Sequence, residues 1–288
     1  MGVVNLRKKV TIPELLEKKR KGEKIVMITS YDYPMTQIVN EAEIDIILVG
    51  DSLAMVVQGR ESTVPVTMEE MIYHCKCVMR GNTSAFVVGD MPFLSYEVSP
   101  EEAVRNAGRI MKEGGVDAVK LEGGVRVADR VEAIVKAGIP VMGHIGLTPQ
   151  SVSLLGGFRV QGKDIDSAKR IIEDAIALEQ AGVFAIVLEC VPSGVAEIIT
   201  KKVSVPTIGI GAGPHCDGQV LVLHDLLGLF KRFRPKFVKS YIDLYEVILK
   251  ALTEYREEVK SGVFPSAEHS FSMNEEVLKA LKEEYLGS

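Results

Sequence analysis

The segment that decides the fold is Ile25–Pro34, with the sequence IVMITSYDYP. It begins with a continuous apolar run, which is typical of a parallel strand buried on both faces. It then passes into SYDYP (30–34), where a dinucleotide-binding sheet would carry its glycine-rich phosphate fingerprint. Because this turn contains no glycine, the segment argues against a doubly wound dinucleotide-binding fold.

Seven further apolar runs follow, separated by longer segments with helical periodicity. They are Ile44–Val49, Ala85–Gly89, Ala118–Leu121, Pro140–His144, Phe184–Leu188, Pro206–Ile210 and Gln219–Leu223. Eight strand–helix units predict an α/β fold, a (β/α)₈ TIM barrel. The length of 288 residues would also fit two ordinary domains. The strand count favours one barrel.

The amino-acid composition argues against several classes of protein. Hydrophobic residues make up 47% and charged residues 25%, which is typical of a globular protein. The net charge of −5 argues against a nucleic-acid binder. No apolar run reaches the roughly 18 residues that a membrane span requires, and the N-terminal segment does not resemble a signal peptide. Four cysteines are too few for a disulfide scaffold, so we expect reduced thiols and a cytoplasmic location.

Polar residues collect where the predicted strands end. In barrels of this kind the chemistry lies at the carboxyl ends of the strands. These positions hold Asp51, Ser52, Asp90, Lys120, Glu122, His144 and Glu189, and strand eight is expected to end at His224 and Asp225. Their shared location predicts an active site at this end of the barrel.

Each of these residues also has a purely structural interpretation. Asp51 and Asp90 could cap the following helices. Lys120 and Glu122 could form a structural ion pair, although residues two apart on a strand share a face and can both point into the barrel mouth. A strand-end histidine such as His144 is more often structural than catalytic. Glu189 ends an apolar run, where a carboxylate is costly unless it has a partner or a function.

Taken together, the residue types indicate a class of chemistry. Three carboxylates from neighbouring strands could hold a hard cation such as Mg²⁺. A cation and a lysine can stabilise an enolate, and a separate carboxylate can remove the proton next to a carbonyl. From these residues alone, we predict metal-assisted carbon–carbon chemistry on a small oxo acid.

Eight segments, in order along the chain, resemble one family. They are KIVMITSYDY (24–33), VGDSLAMVVQGRESTVPVTMEEMIYH (49–74), DMPF (90–93), VKLEGG (119–124), GHIGLTPQS (143–151), VLECVP (187–192), IGIGAG (208–213) and DGQVLV (217–222). Together they resemble the ketopantoate hydroxymethyltransferase family. The resemblance extends from about residue 10 to residue 271.

The resemblance implies a barrel of the phosphoenolpyruvate/isocitrate lyase type and a Mg²⁺-dependent transferase of pantothenate biosynthesis. Such an enzyme transfers a hydroxymethyl group from 5,10-methylenetetrahydrofolate to 3-methyl-2-oxobutanoate and forms 2-dehydropantoate. The resemblance also implies that the protein forms a homo-oligomer, which we expect to be a decamer. The implied metal ligands are Asp51, Asp90 and Glu122, the substrate contacts are Asp51, Ser52, Asp90, Lys120 and His144, and the catalytic proton acceptor is Glu189. The role of His144 in the pocket stays open.

Two segments lie outside the shared pattern. Residues 1–271 are expected to form the catalytic barrel with its N-terminal helix, and 272–288 an added amphipathic helix capped at Ser272. We expect the added helix to dock on the barrel or on a neighbouring subunit. Basic residues alternate with phenylalanines in 230–239. This segment is interpreted as a solvated surface, with contact to the anionic tail of folate as the alternative.

Rival functions stay open at this point. A metal-dependent 2-oxo acid aldolase or lyase of the same superfamily would use a similar residue set. A Schiff-base aldolase would use Lys120 covalently, and a catalytically dead scaffold would need none of the strand-end residues.

Overall fold

The computed structural model describes residues 7–157 and 159–287. Its internal contacts divide the chain into two units, Met1–Ser240 and Tyr241–Ser288. The first unit contains all eight strands. No described helix is long and apolar enough to cross a membrane.

The eight strands are parallel and close into a barrel in chain order, so that β8 also pairs with β1. Their bounds are β1 Ile25–Thr29, β2 Ile46–Val49, β3 Phe86–Asp90, β4 Ala118–Glu122, β5 Val141–Gly146, β6 Ala185–Glu189, β7 Thr207–Ile210 and β8 Gly218–Leu221. The predicted (β/α)₈ barrel is confirmed. Several strand ends differ from the predicted runs by one or two residues: β5 continues past His144 to Gly146, whereas β8 stops at Leu221, and His224 and Asp225 lie in the following short helix.

One helix precedes the first strand, and the helices after it follow the strands and form the outer layer of the barrel. They are α1 Ile12–Lys21, α2 Tyr33–Glu41, α3 Leu53–Val56, α4 Met68–Gly81, α5 Pro100–Gly114, α6 Ala128–Lys136, α7 Val152–Leu155, α8 Ile165–Gln180, α9 Ser193–Lys202 and α10 Leu223–Leu226. Helix α5 begins directly after Ser99, whose hydroxyl accepts the backbone N–H of Glu102 and so caps the helix.

The strands divide the hydrophobic core into two layers. In β2, Ile46 and Leu48 pack inside the barrel, whereas Ile47 and Val49 pack against the helices. Successive side chains of a strand point to opposite faces, so a strand that is buried on both faces is apolar throughout. This explains why the predicted strands are continuous apolar runs.

The amino-terminal end of the barrel is closed by α1, whose Leu15 joins the interior layer. Three aspartates directly precede strands at this end. Each accepts one backbone N–H from the neighbouring strand and one lysine ammonium group from the N-terminal segment. The three sets are Asp45 with Val26 and Lys18, Asp117 with Val87 and Lys9, and Asp217 with Thr207 and Lys19.

The second unit contains two helices, α11 Leu244–Ser261 and α12 Glu275–Leu286, and none of its described side chains is buried. The expected cap at Ser272 is wrong, because α12 begins at Glu275 and is capped by Asn274. The Asn274 side chain accepts the backbone N–H groups of Glu276 and Val277. The separation of a catalytic domain (1–271) from an added helix (272–288) stays a prediction.

Candidate active site

The carboxyl ends of the strands surround a cavity of about 350 Å³. A volume of this size is typical of small-molecule sites. Its floor is polar and its mouth is largely apolar. All seven residues predicted for the site line it: Asp51, Ser52, Asp90, Lys120, Glu122, His144 and Glu189.

Three of these residues are carboxylates that are almost inaccessible to solvent. Asp51 follows β2, while Asp90 and Glu122 are the last residues of β3 and β4. Their exposed fractions are 4%, 2% and 2%. The backbone N–H of Asp51 donates to Asp90 Oδ2 at 3.0 Å, which connects the ends of the first two of these strands. Buried carboxylates at this density repel one another unless cations balance them.

Lys120 is the cation nearest to this cluster. It pairs with Asp90 in the register of β3 and β4, and its Nζ lies 2.8 Å from Asp90 Oδ1. Burial alone would lower the pKa of Lys120, but Asp90, Glu122 and Asp51 outweigh burial and raise the pKa above its usual range. This environment favours the ammonium form of Lys120. A Schiff-base nucleophile needs a neutral amine, so this environment does not favour that rival.

One lysine does not balance three carboxylates. Burial raises the pKa of Asp51 to about 8, and the charges of Asp90 and Glu122 add to the rise. The donor set consists of hard oxygen ligands in a buried, electronegative pocket, which fits a divalent cation such as Mg²⁺. Among the described residues, no group of three or more acidic, histidine or cysteine side chains already has a coordinating arrangement.

His144 connects the acidic cluster to Glu189. Its Nδ1 lies 3.4 Å from Glu122 Oε1, and its Nε2 lies 3.1 Å from Glu189 Oε2. Burial and Lys120 lower the pKa of His144, but the neighbouring carboxylates of Glu122 and Glu189 outweigh them and raise it to about 9. The sequence left the role of this histidine open. The structure places it between the predicted metal ligand and the predicted base.

Glu189 is held by a close approach of β5 and β6. The backbone N–H of Leu147 donates to the Glu189 carbonyl at 2.8 Å. Gly146 has a φ of 93°, and a Cβ atom there would lie 2.3 Å from the same carbonyl oxygen. Only glycine is compatible with this contact. The Glu189 side chain is 16% exposed, which leaves it open to the cavity.

The sequence interpretation missed several residues of the site. Tyr31 donates or accepts a hydrogen bond with Ser52 at 2.8 Å between their oxygens. Tyr96 and Gln150 are buried beside the three carboxylates. The only sequence signal for Gln150 was its place in the segment GHIGLTPQS (143–151). Asp225 was not missed: the sequence placed it at a strand end, and it lines the cavity, where burial raises its pKa to about 6 against the opposing charge of Arg234.

Fold and site together define a (β/α)₈-barrel enzyme whose polar centre lies at the carboxyl ends of the strands. The chain is similar in fold to 2,3-dimethylmalate lyase, a member of the PEP mutase/isocitrate lyase superfamily. The two structures superimpose with a TM-score of 0.58 at 15% identity, over 96% of this chain and 94% of that one.

The sequence comparisons identify the family of the chain, which the similarity in fold alone does not. The model of the ketopantoate hydroxymethyltransferase family matches residues 9–267. The chain is 60% identical to the 3-methyl-2-oxobutanoate hydroxymethyltransferase of Heliobacterium modesticaldum, over 94% of this chain and 99% of the relative. It is 62% identical to the enzyme of the same name from Moorella thermoacetica, over 92% and 98% of the two chains. The chain belongs to the ketopantoate hydroxymethyltransferase family.

Proposed function

We propose that the protein transfers a hydroxymethyl group from 5,10-methylenetetrahydrofolate to 3-methyl-2-oxobutanoate and thereby forms 2-dehydropantoate. The names of relatives about 60% identical over nearly the whole chain support this reaction. The observation that carries the chemistry is the buried cluster of three carboxylates around Lys120, with Glu189 close by. This set can stabilise an enolate and accept the proton whose loss forms it.

The 2-oxo acid binds at the polar floor of the cavity. Lys120 donates to the oxygen on which negative charge develops, while Ser52 and His144 orient the acid. A preformed ammonium group in a buried site stabilises this charge strongly, since little water competes with it. Asp51 and Asp90 complete the substrate contacts.

Asp51, Asp90 and Glu122 would hold Mg²⁺. Bound Mg²⁺ supplies electrophilic activation of the 2-oxo group and neutralises the developing oxyanion. Glu189 removes the proton from C3 of 3-methyl-2-oxobutanoate, and His144, 3.1 Å from Glu189 Oε2, orients that carboxylate. The enolate carbon then forms a bond to the methylene carbon of the folate. The two bonds from this carbon to the folate nitrogens break, and tetrahydrofolate leaves. Water supplies the hydroxyl group of the product, and its second proton, together with the proton from C3, completes the two N–H groups of tetrahydrofolate.

The mouth of the cavity is suited to the second substrate. Phe230, Phe233 and Phe237 present aromatic rings there, and Lys236 and Arg159 add positive charge. Aromatic rings can stack on a pterin, and basic groups can pair with a carboxylate tail. The opening therefore has the chemistry of an anionic, aromatic co-substrate, whereas the floor is suited to a small oxo acid.

The same proposal covers assembly and location. We expect a homo-oligomer, with a decamer as the specific expectation, whose partners are small-molecule substrates rather than nucleic acid or membrane. All four cysteines are free thiols, which supports a reducing, cytoplasmic location. Sedimentation analysis of the purified protein measures the subunit number.

One assay tests the proposed reaction. Purified protein is incubated with 3-methyl-2-oxobutanoate and 5,10-methylenetetrahydrofolate, with Mg²⁺ or with EDTA. We expect 2-dehydropantoate with Mg²⁺, none with EDTA, and recovery when Mg²⁺ is added back. Folate-independent cleavage of a 2-oxo acid would identify the metal-dependent aldolase or lyase instead. Covalent trapping of Lys120 by borohydride would identify the Schiff-base mechanism.

A further inference from the structure

Gln150 is buried in the loop after β5, with an exposed fraction of 6%. Its side-chain Nε2 donates to Asp51 Oδ2 at 2.9 Å and to the Met91 carbonyl at 3.0 Å. Its backbone N–H donates to Glu122 Oε2 at 3.0 Å. One loop residue thus bonds to the segments that follow β2 and β3 and to the last residue of β4, the three strands that carry the candidate metal ligands.

The surrounding groups determine the orientation of the amide. Nε2 faces two acceptors, and Oε1 faces the hydroxyl of Tyr96 at 2.6 Å. A flipped amide would place its oxygen against the Asp51 carboxylate and the Met91 carbonyl, and would leave both without a donor. The Tyr96 oxygen also accepts the backbone N–H of Glu122 at 3.2 Å, so Tyr96 supports both Gln150 and Glu122.

These bonds engage one oxygen of each carboxylate. Gln150 occupies Oδ2 of Asp51 and Oε2 of Glu122, so the remaining oxygens are Oδ1 of Asp51 and Oε1 of Glu122, which lies 3.4 Å from His144 Nδ1. Mg²⁺ requires nearly ideal octahedral geometry, so ligands that are oriented before the ion arrives lose less freedom on binding. Neutral donors behind metal ligands typically contribute 10–100-fold to metal affinity.

We propose that Gln150 is a positioning residue that orients Asp51 and Glu122 for the divalent cation, with Tyr96 fixing its amide. This inference rests on the proposed function, because it assigns Gln150 to the metal site of that reaction. Gln150 does not touch the reacting atoms. It acts through the two carboxylates, so its loss changes metal affinity first and the rate at saturating metal less.

The test measures binding of Mn²⁺ alone to the protein by electron paramagnetic resonance, without substrate. Gln150→Met keeps the approximate volume and removes the side-chain donor to Asp51 and the Met91 carbonyl, while the backbone N–H that donates to Glu122 stays in place. We expect the Mn²⁺ dissociation constant to rise about 10–100-fold. Gln219→Met is the matched control, since Gln219 lies exposed on β8 and donates to the Gly213 carbonyl outside the site. The control should bind Mn²⁺ as the wild type does.

A second variant covers the case in which Gln150→Met does not fold. Tyr96→Phe keeps the buried ring and removes the hydroxyl that bonds to Gln150, so it should weaken Mn²⁺ binding in the same direction by a smaller factor. A purely structural role would lower the melting temperature of the metal-free variants without changing Mn²⁺ affinity. Mn²⁺ affinity equal to wild type in a folded Gln150→Met or Tyr96→Phe protein overturns the proposal.

The Mn²⁺ binding experiment distinguishes failure of the proposed function from failure of the role of Gln150. If wild-type protein binds no Mn²⁺, both the metal-dependent reaction and the role of Gln150 are wrong. If the wild type binds Mn²⁺ and the variants bind it equally well, only the role of Gln150 is wrong.

Discussion

Asp45 and Asp51 flank the same strand, β2, at its two ends, and their surroundings differ in kind. Asp45 accepts one backbone N–H, and its carboxylate also meets Lys18 and Arg7. Asp51 meets Gln150 but lies among other carboxylates. The pKa of Asp45 is lowered, because its hydrogen bonds outweigh burial, whereas burial and neighbouring charges raise the pKa of Asp51 to about 8.

The same difference separates the two ends of the barrel. At the amino-terminal end, each of three aspartates has its own basic partner from the N-terminal segment. At the carboxyl end, Asp51, Asp90 and Glu122 share Lys120 and His144. Natural proteins keep such uncompensated buried charge mainly where function requires it. The number of basic partners available to each buried carboxylate therefore distinguishes stabilising carboxylates from candidate catalytic ones.

The largest effect should come from Asp51→Asn. We expect kcat/KM to fall about 10²–10³-fold, because the variant loses the proposed metal and substrate contact. The melting temperature of the metal-free protein should stay the same or rise, since one of the repelling carboxylates is gone. Calorimetry with EDTA, beside steady-state kinetics with Mg²⁺, measures both. Substantial destabilisation of the metal-free variant would contradict the assignment of Asp51 to a charge-strained site.

The same substitution at the other end of β2 should have the opposite consequence. Asp45→Asn should lower the free energy of unfolding by about 1–3 kcal/mol, because the charged hydrogen bonds to Lys18 and Arg7 are weakened. Activity per folded molecule should not change. Denaturant unfolding measures the loss of stability. Glu17→Gln is the control, since Glu17 pairs only at the surface and should change stability by less than about 0.5 kcal/mol.

The smallest expected effect is the pH dependence of the stability that Asp45 contributes. The lowered pKa of Asp45 means that its stabilisation is present above the unfolded-state pKa of about 3.9 and is lost as pH falls through the folded-state value. The stability difference between wild type and Asp45→Asn should therefore be constant near neutrality and shrink below about pH 4. Unfolding midpoints across this range measure it. A difference that persists unchanged at the acidic end would show that the ion pairs are not its source.

The sequence was sufficient to predict the barrel fold and the polar residues at the ends of its strands. Parallel strands of a barrel bring their carboxyl ends together, so Asp90, Glu122 and Glu189 could be assigned to one site from order alone. Gln150 and Tyr96 could not be assigned to the site from the sequence, because each reaches it from a loop whose path depends on tertiary packing. The Ser272 cap was wrong because Asn274 competes for the same role, and the two residue types cap helices about equally well.

The central claim is that the carboxylates at the strand ends perform proton chemistry on a bound 2-oxo acid. The most direct test is exchange of the C3 proton of 3-methyl-2-oxobutanoate with deuterium from solvent, followed by NMR, in wild type and Glu189→Gln with Mg²⁺ present. We expect the wild type to catalyse exchange, and Glu189→Gln to bind the oxo acid but lose exchange. Undiminished exchange in Glu189→Gln would contradict the account and remove Glu189 from its role as base.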